Sequence, residues 1–358
     1  MSIEAAIEEV WNGKRPKGKT GPLRGFLRLL SIPYGGAIAL RNHLYDRGII
    51  RQAKLPRPVI SVGNLTVGGT GKTPTVIYMA QLLKAHGYRP AVLSRGYGGS
   101  ANAPVNVVSD GNRIRTGWRE AGDEPILIAR AEPGIPVLTG SRRLLTGRAA
   151  VEMFDADVLI LDDAFQHRAL FRDIDMVLLD AARPFGNGFL LPRGPLREHR
   201  DSLRRADILL RTGNAENGEP LREAASLPSF RAIHKPQGVV AGGTGRIETA
   251  AALLGQKVFA FAGIGSPEAF RRSLTELGAA VVGFRVFPDH HPYDLSDIES
   301  LRRLASKSGA ARIVTTEKDG IRLVDFPDFL ADLFLLRIGM EISPAEPFAE
   351  LIFSRVAY

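Results

Sequence analysis

The sequence contains no cysteine, which excludes disulfides and thiolate metal sites. This fits a reducing compartment but does not prove one. Long apolar runs are also missing from the N-terminal part. Its longest run, Leu29 to Leu40, is twelve residues interrupted by Pro33, Gly35 and Gly36, whereas a membrane-spanning helix needs about 20 apolar residues. Acidic residues come first and no small-residue cleavage site follows, so a secretory signal peptide is not expected.

Charge is unevenly distributed. The net charge is +9, and residues 1–57 hold eleven Lys or Arg against four acidic residues. Such asymmetry suggests nucleic acid, a membrane surface or an anionic ligand. The apolar residues from Phe26 to Leu40 stand among arginines, so the segment can lie in a bilayer interface. The alternative is a helix that packs on its own domain with a solvated basic face.

A length of 358 residues favours two domains. We predict a basic amphipathic segment over 1–57, a nucleotide-binding domain over 58–228, extended connecting segments over 229–250 and a smaller C-terminal α/β domain over 251–358. The polar stretch around 212–228 suggests the main boundary.

Short aliphatic runs alternate with helical stretches after Pro58, which indicates a parallel sheet with helices on both faces. A helix is predicted from Pro74 to about His86, and Ser266-Pro267 is typical of a helix start. The predicted strands are Val59–Val62, Pro90–Ser94, Pro136–Leu138, Val158–Leu161, Met176–Leu179, Ile208–Leu210, Ala279–Phe284 and Ala311–Thr316, and Lys257–Gly265 is predicted to be a strand that leads into a turn.

One glycine is absent where it matters most. In a strand–loop–helix setting, Gly68-Gly69-Thr70-Gly71-Lys72-Thr73 has what a phosphate cradle needs, yet Thr66 stands where the G-x-x-x-x-G-K-[ST] pattern has its first glycine. Glycine backbone N–H groups and the helix N-terminus attract phosphate, Lys72 can reach the terminal phosphates of ATP, and Thr73 can ligate Mg²⁺. The alternative is an ordinary glycine-rich turn.

An acidic pair ends one aliphatic strand. Asp162 is the first choice for the carboxylate that P-loop proteins bring to magnesium. Asp163 should point elsewhere, because neighbouring residues at a strand end face opposite ways. For Asp163, a helix N-cap is the alternative role.

Two further groups could act on an acceptor. Asp123 precedes a helical stretch and could be only an N-cap. His290 and His291 follow an acid at a strand end, which suggests an acid–base group or a metal pair, with a solvated loop histidine as the alternative. Without cysteine or a spaced third ligand, a zinc site is not expected. Arginines in Ser141–Arg143 and Leu191–Arg200 suit phosphate groups, or else lie in solvated loops.

Taken together, these segments resemble the tetraacyldisaccharide 4′-kinases of lipid A biosynthesis. They run in that family's order from about residue 20 to 320, and the missing first glycine is part of the family's pattern. Ala164 departs from it, where the family usually has glycine. The matching segments are Ser61–Pro74, Leu93–Gly99, Gly122–Pro125, Asp162–His167, Pro192–Glu198, Phe287–His290 and Thr316–Asp319.

The resemblance implies an ATP- and Mg²⁺-dependent kinase at the cytoplasmic face of the bacterial inner membrane. Its acceptor would be the 4′-hydroxyl of an acylated glucosamine disaccharide 1-phosphate, and its product lipid IVA. It also implies that the basic N-terminus binds the membrane surface. Asp123 and His290 match the pair that activates the acceptor, one from each predicted domain, so that domain closure would complete it. Lys72 and Asp163 are expected to be catalytic. Substrate contacts are expected from Arg143, Gln166, Arg197 and Glu198.

Two other classes compete with this interpretation. A P-loop enzyme of another class, such as a GTP-dependent metallochaperone or a ligase-type ATPase, would share the cradle, but the guanine-specific N-K-x-D is absent. A nucleic-acid binder could use the basic N-terminus, but residues 1–25 hold only one aromatic residue, Trp11, for stacking on bases. We therefore expect no nucleic-acid partner.

Overall fold

The computed structural model describes residues 7, 10–11, 21–213 and 226–357. Contacts group the chain into two units. The first unit comprises Met1–Arg95, Arg142–Ile233 and Glu341–Tyr358, and the second comprises Gly96–Ser141 and His234–Met340. Part of the polar stretch around 212–228, where we predict a boundary, lies outside the described residues.

The strands alternate with helices through most of the chain. The strands are β1 (Val59–Asn64), β2 (Pro90–Ser94), β3 (Asn106–Asp110), β4 (Pro136–Thr139), β5 (Val158–Asp162), β6 (Ile174–Asp180), β7 (Ile208–Thr212), β8 (Ser229–Ala241), β9 (Ile247–Glu248), β10 (Lys257–Ala262), β11 (Ala280–Val286), β12 (Arg312–Thr316) and β13 (Leu333–Ser343).

The α-helices are α1 (Gly21–Asp46), α2 (Lys72–Ala85), α3 (Trp118–Ala121), α4 (Asp123–Ala131), α5 (Arg143–Phe154), α6 (Pro267–Glu276), α7 (Leu295–Ser308), α8 (Glu317–Arg322), α9 (Pro327–Ala331) and α10 (Ala345–Val356), and Arg200–Arg205 and Ala250–Leu253 form 3₁₀ turns.

In the first unit, parallel strands follow the order β8-β7-β6-β1-β5-β2. Strands β1 and β5 are buried along their whole length, as expected for a sheet covered on both faces. Helices α2 and α5 pack on β2 and β5. Because β1 and β5 are parallel neighbours with Val62 opposite Asp162, the loops that follow them start at one sheet edge.

In the second unit, β10 pairs in parallel with β11 and β12, and β12 pairs in parallel with β13. Helices α6 and α7 pack against β10 and β11. One core cluster contains Phe261, Tyr293 and Phe329, and another contains Phe270 and Leu274. Strands β3 and β4 form an antiparallel pair.

All nine predicted strands are confirmed to within a few residues. Helix α2 begins at Lys72, two residues before the predicted Pro74. Its N-cap is Gly71, which has a left-handed backbone with φ of 88°. Ser266 and Pro267 do start α6, but the Ser266 side chain makes no capping hydrogen bond.

The contact grouping differs from the predicted domain boundaries in two places. Residues 96–141 belong to the second unit, and residues 341–358 belong to the first. The C-terminal assignment has a clear cause, because the ring of Phe348 on α10 packs 5.1 Å from Phe230 and 6.1 Å from Tyr78. Composition marks where polarity changes along a chain, but aromatic packing of this kind joins segments that are far apart in sequence.

Candidate active site

The loop between β1 and α2 has the backbone that a phosphate cradle requires. Gly68 and Gly71 have φ values of 122° and 88°, a region that favours glycine. The chain enters α2 directly after Gly71, so unpaired N–H groups at the helix start can face an anion. Lys72 and Thr73 are the first two residues of this helix.

Thr66 is held in an extended position. It forms a bridge with Leu196, and the flanking backbone bonds run from Val67 N to Pro195 O at 2.8 Å and from Arg197 N to Leu65 O at 2.8 Å. A β-branched residue suits such sheet-like pairing. The freedom of a glycine is therefore not needed at the first position of this loop.

Hydrogen bonds from two polar side chains stabilise the loop. The Asn64 amide donates to the Thr70 hydroxyl at 2.9 Å, and the Gln166 amide donates to the Asn64 carbonyl at 2.8 Å. Asn64 is fully buried and Thr70 is nearly so. Gln166 thus supports the backbone at the start of this loop, and the substrate contact predicted for it stays a prediction.

Asp162 ends β5 and is 2% exposed. The Ser94 hydroxyl, at the end of neighbouring β2, donates to Asp162 Oδ2 at 3.1 Å. No group of three or more His, Asp or Glu side chains suited to a metal ion occurs among the described residues. Mg²⁺ usually takes only one or two protein ligands and completes its shell with water and substrate phosphates, so the oxygen-bearing side chains of Thr73 and Asp162 fit it in chemistry.

Asp163 faces basic groups. Its carboxylate accepts from Nη1 of Arg197 at 2.8 and 2.9 Å, and Nζ of Lys72 lies 3.8 Å away. Burial acts to raise the pKa of Asp163, but Lys72 and Arg197 outweigh it, so the pKa is lowered. The carboxylate stays ionised and holds both cations beside the loop.

Ala164 does not disturb this arrangement. The residue with a left-handed backbone is Asp163 itself, with φ of 47°. Aspartate tolerates that region better than most residues. Ala164 is buried, and its N–H donates to Val62 O at 3.2 Å. The alanine in place of the family's glycine therefore leaves the Asp163 backbone as it is.

Arg143 begins α5 and is 3% exposed. Burial lowers its pKa to about 10, while Asp162 acts in the opposite direction. The guanidinium therefore remains charged at neutral pH, close enough to Asp162 to interact with it electrostatically. A buried cation beside an acidic strand end can stabilise charge that builds on a phosphoryl group.

Glu198 is enclosed by basic and amide side chains. Its side chain has no exposed surface and is bound by Nη2 of Arg41 at 2.6 Å, Nη1 of Arg205 at 2.9 Å and Nδ2 of Asn42 at 3.0 Å. All three contacts are made by residues of the first unit, and the substrate contact predicted for Glu198 stays a prediction. The structure gives Glu198 the role of joining helix α1 to the segment that carries Arg197.

Helix α1 packs on the first unit with one face. Leu27 and Ser31 are buried there, the Ser31 hydroxyl donates to Leu190 O at 3.0 Å, and the Tyr34 hydroxyl donates to Arg197 O at 2.8 Å. Apolar side chains lie exposed along the opposite face. They are Phe26 (58% exposed), Leu29 (64%), Leu30 (41%) and Leu40 (60%), with Ile32 (66%) at its margin.

Both alternatives for the N-terminal segment are thus partly present, since the helix packs on its own unit and also exposes apolar residues. The start of the segment, 1–6, 8–9 and 12–20, lies outside the described residues. None of the helices in the described part of the chain is long and apolar enough to cross a membrane.

In the second unit, Asp123 and His290 are brought together. Nδ1 of His290 lies 3.1 Å from Oδ1 and 2.9 Å from Oδ2 of Asp123. Asp123 is 4% exposed, whereas the His290 side chain is 33% exposed. Both residues belong to the same unit, so the pair is formed without the domain closure that its sequence positions suggested.

The pKa shifts of the pair follow from this contact. The hydrogen bond to Asp123 raises the pKa of His290, against the effects of burial and of Lys318. Burial raises the pKa of Asp123, but His290 and Lys318 outweigh it and the pKa is lowered. Asp123 is therefore a carboxylate, and it accepts the Nδ1–H of the imidazole. The other ring nitrogen is the one that can exchange a proton.

His291 has a different task. Its Nε2 lies 2.7 Å from Oδ2 of Asp297 at the start of α7. Its ring stacks on Phe287 with centroids 4.7 Å apart. Of the two adjacent histidines, His290 is the one that contacts Asp123, and its backbone φ is 58°. Non-glycine residues in this region cluster at functional sites.

Two residues near the pair escaped sequence analysis. Nζ of Lys318 lies 3.3 Å from Nε2 of His290. Nε of Arg322 lies 3.6 Å from Oδ2 of Asp123. Both come from α8, directly after β12. The usable signal was Thr316-Glu-Lys-Asp319 at a strand end, where polar residues often serve a site.

Comparison with known proteins agrees with these observations. The sequence model described as tetraacyldisaccharide-1-P 4′-kinase matches residues 23–357. A protein of Syntrophus aciditrophicus named tetraacyldisaccharide 4′-kinase is 50% identical, with 98% of each chain covered. Another of that name, from an Anaeromyxobacter species, is 46% identical, with 96% of this chain and 94% of the relative covered.

A solved structure is similar as well. The crystal structure of LpxK from Aquifex aeolicus in complex with ATP has a TM-score of 0.77 and 34% sequence identity to this chain. The match covers 93% of this chain and 99% of that one. The sequence comparison and the structural comparison therefore agree on the same family over nearly the full length of the chain.

Proposed function

The chain belongs to the tetraacyldisaccharide-1-phosphate 4′-kinase family and is thus a kinase of lipid A biosynthesis, and from this premise we propose which residues perform the reaction. The γ-phosphate of ATP passes to the 4′-hydroxyl of a tetraacyldisaccharide 1-phosphate, which gives lipid IVA. In such a transfer the acceptor oxygen bonds to the γ-phosphorus, and the bond to the β–γ bridging oxygen breaks.

The first unit supplies the nucleotide site. The Gly68–Thr73 loop holds the triphosphate through its N–H groups, and Lys72 neutralises the terminal phosphates. This proposal is supported by the glycine conformations at Gly68 and Gly71 and by the ATP complex of the Aquifex aeolicus relative. Thr73 and Asp162 would hold Mg²⁺, which neutralises phosphate charge and orients the phosphates when bound.

Basic side chains around Asp163 stabilise the charge that develops during transfer. Arg143 and Arg197 are cations fixed beside the cradle by the two acids. Preorganised charges need no rearrangement as the reaction proceeds, so they favour the transition state over the ground state. Asp163 keeps Lys72 and Arg197 in place, and Gln166 supports the loop backbone.

The second unit supplies the proton acceptor. His290 takes the proton of the acceptor hydroxyl at Nε2, while Asp123 holds Nδ1–H and stabilises the imidazolium that forms. The single observation that carries this assignment is the hydrogen bond between Asp123 and Nδ1 of His290. A buried carboxylate with a partly exposed imidazole is the arrangement that orients a general base.

Peripheral membrane binding follows from the exposed apolar face of α1 together with the basic residues of 1–57. Each apolar side chain that enters the lipid gains about 1.5–3 kcal/mol, and each basic residue near anionic lipid adds about 1 kcal/mol. Because ATP is the donor, the enzyme works at the cytoplasmic face of the inner membrane. The acylated acceptor reaches it from the lipid.

The test is a transfer assay with γ-³²P-ATP, Mg²⁺ and purified tetraacyldisaccharide 1-phosphate in mixed micelles. We expect labelled lipid from the wild type, and from His290→Gln a rate lower by about 100-fold or more with nearly unchanged ATP affinity. Absence of labelled lipid from the wild type would falsify the reaction. A His290→Gln variant with full activity would reject only the assigned proton acceptor.

A further inference from the structure

Lys318 stands at the one nitrogen of His290 that Asp123 leaves open. Its Nζ lies 3.3 Å from Nε2 of His290, and its side chain is 18% exposed. An ammonium group carries only donors. Nε2 can accept at this contact only through its lone pair, which requires the neutral imidazole with hydrogen on Nδ1.

Lys318 is fixed in place by acids. Oε1 of Glu124 lies 3.2 Å from Nζ and Oδ1 of Asp289 lies 3.6 Å from it. Burial acts to lower the pKa of Lys318, but Glu124, Asp123 and Asp289 outweigh it, so the pKa is raised and the group stays charged. The cation at Nε2 is a permanent part of the site.

Charges of both signs face the imidazole. Asp123 contacts Nδ1, and Oδ2 of Asp289 lies 3.8 Å from Nε2. These two acids favour the protonated ring. Two cations from α8 oppose this effect. Lys318 contacts the ring itself, and Arg322 contacts Asp123. The centroid of the Tyr97 ring lies 6.0 Å from that of the imidazole.

The acids pose a problem for a proton acceptor, since an imidazolium cannot take the proton of a hydroxyl. We propose that Lys318 is a positioning residue that keeps Nε2 of His290 unprotonated until the acceptor hydroxyl arrives. Protonation at Nε2 would place its N–H against an ammonium 3.3 Å away, and two like charges at that distance repel. This inference rests on the proton-acceptor role proposed for His290.

The hydroxyl then takes the place of Lys318 at Nε2. The proton moves to Nε2 as the acceptor oxygen bonds to the γ-phosphorus and ADP leaves. Lys318 keeps Glu124 and Asp289 as partners throughout. Its charge also helps to return the proton afterwards, because it makes the imidazolium a stronger acid.

The test is the His290 titration in wild type and Lys318→Met, followed by NMR of histidine ring signals assigned with His290→Gln. We expect the His290 titration to move to higher pH in Lys318→Met. The rate should fall about fivefold relative to wild type at pH 6 and recover at pH 9. Lys318→Arg keeps the charge and should restore most of the rate. Lys307→Met, an exposed lysine of α7, is the matched control.

The outcomes separate two failures. An unmoved His290 titration in a folded Lys318→Met protein overturns the inference, whatever happens to the rate. So does a rate that falls equally at pH 6 and pH 9, because that pattern signals lost structure. Full activity of His290→Gln overturns the proton acceptor itself, on which the inference rests.

Discussion

Asp123 holds His290 by the ring nitrogen that does not face Lys318, with 2.9 Å between Oδ2 and Nδ1. The carboxylate therefore fixes the ring's orientation and its tautomer at once. The same contact raises the pKa of the imidazole. Orientation and basicity thus depend on one hydrogen bond.

Replacing that carboxylate should separate chemistry from nucleotide binding. Asp123→Asn keeps the shape of the side chain but removes its charge, so we expect kcat to fall about 100- to 10,000-fold. The KM for ATP should change little, because Asp123 is not in the nucleotide loop. Steady-state kinetics with ATP and the disaccharide lipid measure both. Asp325→Asn removes an acid paired with Arg119 in the same unit and should retain the wild-type rate.

Activity should depend on pH through His290. Its pKa is raised above the ordinary value of 6.5, and only the neutral ring accepts a proton. The rate should therefore be full at high pH and fall as the pH drops through the raised pKa, with the acidic limb above pH 6.5. In Asp123→Asn the residual activity should show this limb at lower pH. A limb at the same pH in both proteins would assign it to another group.

Lys72 should matter to both binding and rate. Lys72→Met removes the cation beside Asp163, and we expect kcat/KM for ATP to fall by about 1,000-fold, because one preorganised contact to the developing charge is lost. Initial rates at varied ATP concentration measure this. Lys84→Met, an exposed change near the other end of α2, is the control. A loss of similar size in Lys84→Met would mean that helix damage causes the effect.

Glu198→Gln should destabilise the protein. Removing one partner of a buried ionic network costs about 3–5 kcal/mol, and here two arginines lose their acid. Burial acts to raise the pKa of Glu198. The contacts with Arg205, Asn42 and Arg41 outweigh burial, so the pKa is lowered. The stabilisation is therefore complete above the ordinary glutamate pKa and disappears as pH falls through the lowered value.

Urea unfolding at neutral and at acidic pH checks this difference, with the exposed Glu299→Gln as the control. Equal stability of wild type and Glu198→Gln at neutral pH would contradict the anchoring role. It would also leave open the predicted contact of Glu198 with substrate.

The exposed face of α1 should set affinity for lipid. The double change Phe26→Ser and Leu29→Ser removes two side chains that are 58% and 64% exposed, so folding should be nearly unaffected. Co-sedimentation with vesicles containing anionic lipid should fall by about 100-fold, at 1.5 kcal/mol or more for each side chain. Ile247→Ser with Leu254→Ser, exposed residues of the second unit, should bind as the wild type does.

The sequence predicted those parts of the site that are formed by residues close together along the chain. A glycine loop before a helix and an acid at the end of a strand are local patterns. The strand that ends at Asp162 lies where it was predicted, and the helix after the loop begins at Lys72, two residues before the predicted Pro74. The ion pair of Glu198 with Arg41 was not predicted, because the two residues lie 157 positions apart in the sequence. The choice of His290 over His291 likewise depended on Asp297, which no pattern around the histidines reveals.

The long separation between Arg41 and Glu198 affects the order of events during synthesis. At about 5–20 residues per second, the ribosome takes roughly 8–30 seconds to add the residues between them. Throughout that interval α1 is already made, while the carboxylate that will hold it does not yet exist. During that time neither face of α1 is covered by the segment around Glu198. A surface that the growing chain contacts then has access to both faces of the helix.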